Sequence, residues 1–178
     1  MVDDSVEDVM TIAEAIPAAT LLQGLKDVNV SDVVAVPDTH QRSLINLLNQ
    51  QEHIRFIQAA TEDEAVAVAA GLIIGGRKPV VQIQHAGLYA CVNHLRGIAS
   101  DGHFPMVFLI GLLGRDPHRE PSDHAGSMVM LAEPLLDTMQ VPRYLMDAPS
   151  DVGMIAEAFS MAEECQRPAA LLIGVTTS

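Results

Sequence analysis

The chain has 178 residues, 49% of them hydrophobic, with 23 acidic against 10 basic side chains and a formal charge of -13. That length and apolar content suit one domain with a full core. The carboxylate excess, with no stripe of Lys or Arg to neutralise phosphates, argues against nucleic-acid binding, and no apolar run is long enough to cross a bilayer.

In chain order, Met1-Val2-Asp3-Asp4-Ser5-Val6-Glu7-Asp8 is acidic, the opposite of a signal peptide's start. Residues 1–16 are therefore expected to form an acidic N-terminal extension of a cytoplasmic protein, and residues 17–178 its domain. Pro17 is expected in the first turn of a helix over 17–27. Short apolar runs then recur: Val33-Val34-Ala35-Val36, Ile54 to Gln58, Pro79 to Gln84, Met106 to Ile110, Arg143 to Met146, and Ala169 to Ile173. Helix-type stretches lie between them at 41–50, 62–76, 87–100, 128–138 and 151–165. Continuous apolar strands alternating with helices predict a three-layer α/β/α fold around a six-stranded, mainly parallel sheet. Cys91 and Cys165 show no metal or redox spacing and read as buried free thiols.

In open sheets of this kind ligands bind outside the carboxyl ends of the strands, so the segments after each run carry the chemistry. These are Pro37-Asp38-Thr39-His40, Ala59-Ala60-Thr61-Glu62, His85-Ala86-Gly87-Leu88, and the long stretch from Gly111 to His124. Thr61 and Glu64 have the spacing of a capping box, the hydroxyl taking a backbone N–H and the glutamate reaching back to the cap. Glu62 has no such duty. A first-turn carboxylate can simply complement the helix dipole, and Asp38 and Thr39 can cap the next helix. His118 and His124 can be solvated loop residues, although their long charged loop suits a lid over a small anion. His40, His53, His94 and His103 read as structural or surface residues. The alanine-rich run from Ala65 to Ala70 reads as a close-packed helix at a subunit or sheet contact.

The order of these segments is similar to that of a known family. It runs Val36-Pro37-Asp38-Thr39, Glu62 with Gly71 nine residues on, Gly76-Arg77-Lys78-Pro79, and Gln84-His85-Ala86-Gly87-Leu88. Pro105 to Gly111 follows, then a charged loop ending in Glu120-Pro121-Ser122-Asp123-His124. Together they resemble the pyrimidine-binding (Pyr) domain of thiamine-diphosphate-dependent 2-oxoacid decarboxylases. Within that family the likeness is to the alpha subunit of sulfopyruvate decarboxylase and the N-terminal half of phosphonopyruvate decarboxylase, from about Pro17 to Gly174.

The resemblance implies that Glu62 is the catalytic, cofactor-binding glutamate that hydrogen-bonds the aminopyrimidine ring nitrogen. It places Gly87 and Leu88 against the cofactor, and Asp38, Thr39, His85, His118 and His124 near the substrate. The family's Gly-Asp-Gly segment followed by Asn, which holds magnesium and diphosphate, has no counterpart; Asp101-Gly102 precedes a strand in the wrong context. No metal ligand is therefore expected here. The magnesium ligands are implied on a separate diphosphate-binding (beta) subunit, in a hetero-oligomer with at least two copies of each chain. Relatives often carry Asn and Ser where this chain has His85 and Ala86, which bears on the substrate. The implied substrate is a small anionic 2-oxoacid, sulfopyruvate first and phosphonopyruvate second. The alternatives are another thiamine-dependent carboligase or decarboxylase, or a non-catalytic regulatory or scaffold subunit.

Overall fold

The computed structural model describes residues 14–178, so most of the expected N-terminal extension lies outside the described residues. Six strands, β1 (Asp32–Ala35), β2 (Arg55–Gln58), β3 (Pro79–Gln84), β4 (Val107–Gly111), β5 (Arg143–Met146) and β6 (Ala169–Ile173), form one sheet in the order β2-β1-β3-β4-β6-β5. Every pairing is parallel, so the expected mainly parallel sheet is wholly so. The register sets Val33 beside both Phe56 and Val80, and Ile110 beside both Ile83 and Leu172.

Strand alternation divides the apolar side chains between two cores. Val33, Ala35, Val80, Val107, Leu109, Ala169 and Leu171 face one core, which includes buried residues of α1 (Ala18–Asp27), α2 (Arg42–Leu48) and α8 (Met154–Cys165). Val34, Val81, Ile83, Phe108, Ile110, Ala170 and Leu172 face the other, which includes those of α3 (Glu62–Ile74), α4 (His85–Ala90) and α7 (Ala132–Thr138). β4 and β6 are buried along their whole length, whereas the edge strand β2 is half-exposed. This is why the central runs are continuously apolar and β2 begins with Arg55 and ends with Gln58.

Several boundaries differ from expectation. Pro17 is the residue before α1 rather than within its first turn. The stretch expected as one helix over 87–100 begins at His85 and breaks after Ala90 into a three-residue turn, α5 (Val92–His94), and a π-helical turn, Leu95–Ser100. The 128–138 segment likewise splits into α6 (Ser127–Met130) and α7. Residues Pro149–Gly153 form a 3₁₀ lead-in to α8, with Pro149 in the first position, where no amide donor is needed.

At the amino end of β1, Asp32 is fully buried, accepting from Arg55 Nε at 2.6 Å, Arg77 Nε at 2.8 Å and Ser31 Oγ at 2.7 Å. Burial raises its pKa, but the bonds from Arg77, Ser31 and Arg55 together outweigh that and hold the carboxyl below its ordinary value. A lowered folded-state pKa stabilises the protein above the unfolded carboxyl's pKa, and that contribution is lost as pH falls through the folded value. Both arginines are largely exposed, which screens the effect. Asp32→Asn should cost roughly 1–3 kcal/mol at neutral pH, and chemical denaturation should show the gap to wild type narrowing as pH falls below about 4. An unchanged midpoint at neutral pH contradicts this.

Candidate active site

β1 is followed by α2 on one face of the sheet and β3 by α4 on the other, so a crevice opens outside their carboxyl ends. Asp38 closes its floor. Its Oδ1 accepts from the His40 backbone N–H at 2.8 Å and from Gln84 Nε2 at 3.0 Å, while its Oδ2 accepts from Gln41 Nε2 at 3.0 Å. Asp38 thus orders the turn before α2 instead of capping the helix directly, and Thr39 is exposed beside it. Gly111, at the end of β4, is required by contact: a Cβ there would collide with Asp38 Oδ2. Gln41 extends the network, donating to the Ile83 carbonyl at 3.2 Å and accepting from Gln82 Nε2 at 3.3 Å.

The carboxylates that open α3 have separate partners. Thr61 Oγ1 accepts from the Glu64 N–H at 3.3 Å, as the capping box requires. The Glu64 carboxylate reaches one residue further back than expected, to the Ala60 N–H at 2.6 Å. Asp63 pairs with His94 Nδ1 at 3.1 Å. Glu62 lies across Gly87 instead. A Cβ on Gly87 would meet Glu62 Oε1 at 2.5 Å and Cδ at 2.7 Å, so the glycine is what lets the carboxylate rest on the first turn of α4. Leu88 is fully buried beside it. Cys91, one turn on, is inert: burial first, then the charges of Asp63 and Glu62, push its thiol up to about 12.

The histidines are held differently from expectation. His85 is buried, its Nδ1 accepting from the Ala86 N–H at 3.0 Å. Its Nε2 lies 3.0 Å from the Leu113 carbonyl, which can only accept, so that nitrogen carries the proton. Burial pushes its pKa down, consistent with a neutral ring spanning two protein partners. His124 also uses both nitrogens, Nε2 accepting from the Asp116 N–H at 2.8 Å and Nδ1 donating to the Glu120 carbonyl at 3.0 Å. A substrate contact by either ring would displace one of these bonds. His118 is exposed on the same loop. His40, read as structural or surface, is buried in the site region, its Nε2 2.9 Å from the Ile173 carbonyl. Arg115, which sequence reasoning passed over, is buried in a bidentate pair with Asp147 at 2.6 and 2.8 Å. The only sequence signal for either residue was its place in a strand-end loop.

Among the described residues no group of three or more His, Cys, Asp or Glu is placed to hold a metal ion. The arrangement offers one half-buried carboxylate seated over a glycine, which can share a proton with a ring nitrogen presented to it.

The family profile of the thiamine pyrophosphate enzymes, N-terminal TPP binding domain, matches residues 17–125. The chain belongs to that family. It is 26% identical to the sulfopyruvate decarboxylase subunit alpha of Methanocaldococcus jannaschii over 85% of this chain and 89% of that one. It is 31% identical to the phosphonopyruvate decarboxylase of Streptomyces viridochromogenes, over 61% of this chain but only 28% of that longer protein. The crystal structure of benzoylformate decarboxylase from Polynucleobacter necessarius superposes with a TM-score of 0.70 at 21% identity, covering 89% of this chain and 30% of that one, a likeness of fold.

Thiamine diphosphate fits the cradle on one structural ground: Gly87 leaves room for the Glu62 carboxylate, and a side chain there would remove it. Gly87 has no left-handed backbone to lose, so Gly87→Ala should fold normally. Calorimetric titration in the presence of a diphosphate-binding partner should show thiamine diphosphate binding weakened at least about tenfold, roughly 1.4 kcal/mol. Unchanged affinity would separate Glu62 from the cofactor.

Proposed function

We propose that this chain is the alpha, pyrimidine-binding subunit of a split thiamine-diphosphate-dependent 2-oxoacid decarboxylase acting on sulfopyruvate or phosphonopyruvate. The observation that carries the reading is the Glu62 carboxylate seated on Gly87 at the carboxyl end of the sheet. The bound cofactor supplies the electron sink for loss of carbon dioxide. Glu62 would hold and move a proton at a pyrimidine nitrogen, Gly87 and Leu88 would support the ring, and Asp38, Thr39, His85, His118 and His124 would border the substrate.

A separate diphosphate-binding subunit follows from two supports. The relatives matched over most of their length are named alpha subunits, and the Gly-Asp-Gly and Asn pattern for magnesium and diphosphate is missing from this sequence. Magnesium would then be held by the partner, in a hetero-oligomer with at least two copies of each chain. Exposed Met128 and Leu131, at an apolar groove of Tyr89, Pro134 and Leu135, give such a partner surface to cover. No helix among the described residues is long and apolar enough to cross a membrane. Both cysteines are free, Cys91 buried as expected and Cys165 exposed where burial was expected, and free thiols support a cytoplasmic location.

In the reconstituted pair, Glu62→Gln should leave assembly intact and lower turnover by roughly two to four orders of magnitude, the scale of a lost acid–base partner. Glu64→Gln should cost about 1 kcal/mol or less of stability and little rate. Carbon dioxide release from a panel of 2-oxoacids measures both, and equal rate effects would undo the division of roles. The purified single chain should be inactive on every oxoacid; measurable decarboxylation by it alone would remove the split-enzyme reading.

A further inference from the structure

Gly71, nine residues after Glu62, has no duty at the active site. It lies within α3, where a glycine is less favourable than an alanine because ordering it costs more backbone entropy. Its own chain gives no reason for it: its backbone is not left-handed, and a Cβ built there would meet nothing within 4 Å. The exposed positions of α3 after its first turn are Ala67, Gly71 and Ile74, spaced to share one face of the helix, while Ala65, Val66, Ala69 and Ala70 are buried in the core beneath it. Ile74 is 77% exposed, more than any other large apolar side chain among the described residues. From Ala65 to Gly76 no side chain is charged or polar. A helix that is apolar all round is normally covered all round, and here one face lies open in the single chain.

Charge decides what covers it. The chain carries a formal charge of -13, so two copies repel wherever their charged surfaces meet. The outer face of α3 is free of charge over about three turns and escapes that repulsion. Its two ends differ in sign: Glu62, Asp63 and Glu64 fill the first turn, and Arg77 and Lys78 follow the last. A second α3 running antiparallel sets each acidic end beside the other's basic end and opposes the helix dipoles. Arg77 and Lys78 already pair with Asp32 and Glu163 and stay part-exposed, so their charge orients the contact and the apolar face drives it. Half-buried Val68, and half-buried Ile98 on the π-helical turn that packs beside α3, widen that face.

We propose that the outer face of α3 is the contact through which two copies of this chain pair, about a two-fold axis that passes at Gly71. Gly71 then meets Gly71, Ala67 meets Gly75 and Ile74 meets Val68, and the missing side chains let the two backbones approach closely. α3 starts at the carboxyl rim with Glu62 and runs along the sheet away from it, so its outer face stands beside the rim and leaves the rim open to a diphosphate-binding partner. The two Glu62 carboxylates come to lie at opposite ends of one helix pair. The self-contact rests on α3 alone; that it joins two halves of a decarboxylase rests on the oxoacid decarboxylase reading.

The test begins with sedimentation velocity of the full chain over a range of concentrations, where a reversible dimer is expected. Gly71→Gln and Ile74→Lys should each weaken dimerisation at least about tenfold. At dilutions where only monomer is present, Gly71→Gln should melt no lower than wild type, because glutamine suits a helix better than glycine. With Cys165→Ser removing the exposed thiol, Gly71→Cys should give a disulfide-linked dimer under mild oxidation. Ala67→Cys and Gly75→Cys should each cross-link slowly alone and quickly when the two variants are mixed. A wild-type chain that stays monomeric, a dimer indifferent to Gly71→Gln and Ile74→Lys, or cross-linking without that register overturns the contact. Variants that dimerise normally but no longer join the diphosphate-binding partner give this face to the partner and overturn it too. If the wild-type complex turns over no oxoacid while the chain still dimerises in this register, the decarboxylase reading fails and the contact stands.

Discussion

The Asp38 carboxylate fastens three strand ends together. The central strands are buried on both faces, and at their carboxyl rim Asp38 gathers bonds from the turn before α2 and from Gln84 of β3. It also presses against Gly111 of β4. A carboxylate held by several donors and enclosed by backbone fixes the relative heights of β1, β3 and β4. That height sets where α4 begins, and the start of α4 carries both His85 and Gly87. The seat of Glu62 depends on this fastening although Glu62 never touches Asp38.

How far the sequence could be read follows from the same geometry. β4 and β6 were legible because burial on both faces leaves an unbroken apolar run, and the separation of Glu62 from Glu64 was legible because a capping box occupies one carboxylate and not its neighbour. The fracture of the 87–100 segment was not legible. Its residues favour a helix, and the π turn at Leu95–Ser100 comes from fitting that helix against α3 and the sheet. The positions of His40 and Arg115 were hidden for a similar reason. Each is placed by partners more than thirty residues away, Ile173 for one and Asp147 for the other, and no local spacing announces such a contact.

The long loop after β4 is better ordered than its composition suggests. His85 ties Leu113 to α4, Arg115 ties the loop's root to the end of β5, and His124 draws Asp116 and Glu120 into one turn. Each tie sits near the base, and His118 is left exposed on the intervening stretch. The His85 ring joins the two parts, its Nε2 on the Leu113 carbonyl of the loop and its Nδ1 accepting from Ala86 of α4.

The crowding of Glu62, Asp63 and Glu64 into one helical turn raises an electrostatic problem that the fold answers residue by residue. The start of α3 offers partial positive charge that favours carboxylates there. The Glu64 carboxylate accepts from the Ala60 N–H and Asp63 lies beside the His94 ring, so two of the three have neighbours of their own. That leaves the third, Glu62, over the glycine at the start of α4. A proton acceptor in such a position is useful because no tighter protein partner competes for it. The acidic composition that first argued against nucleic acids therefore acquires, at this turn, a division of labour among adjacent side chains of the same charge.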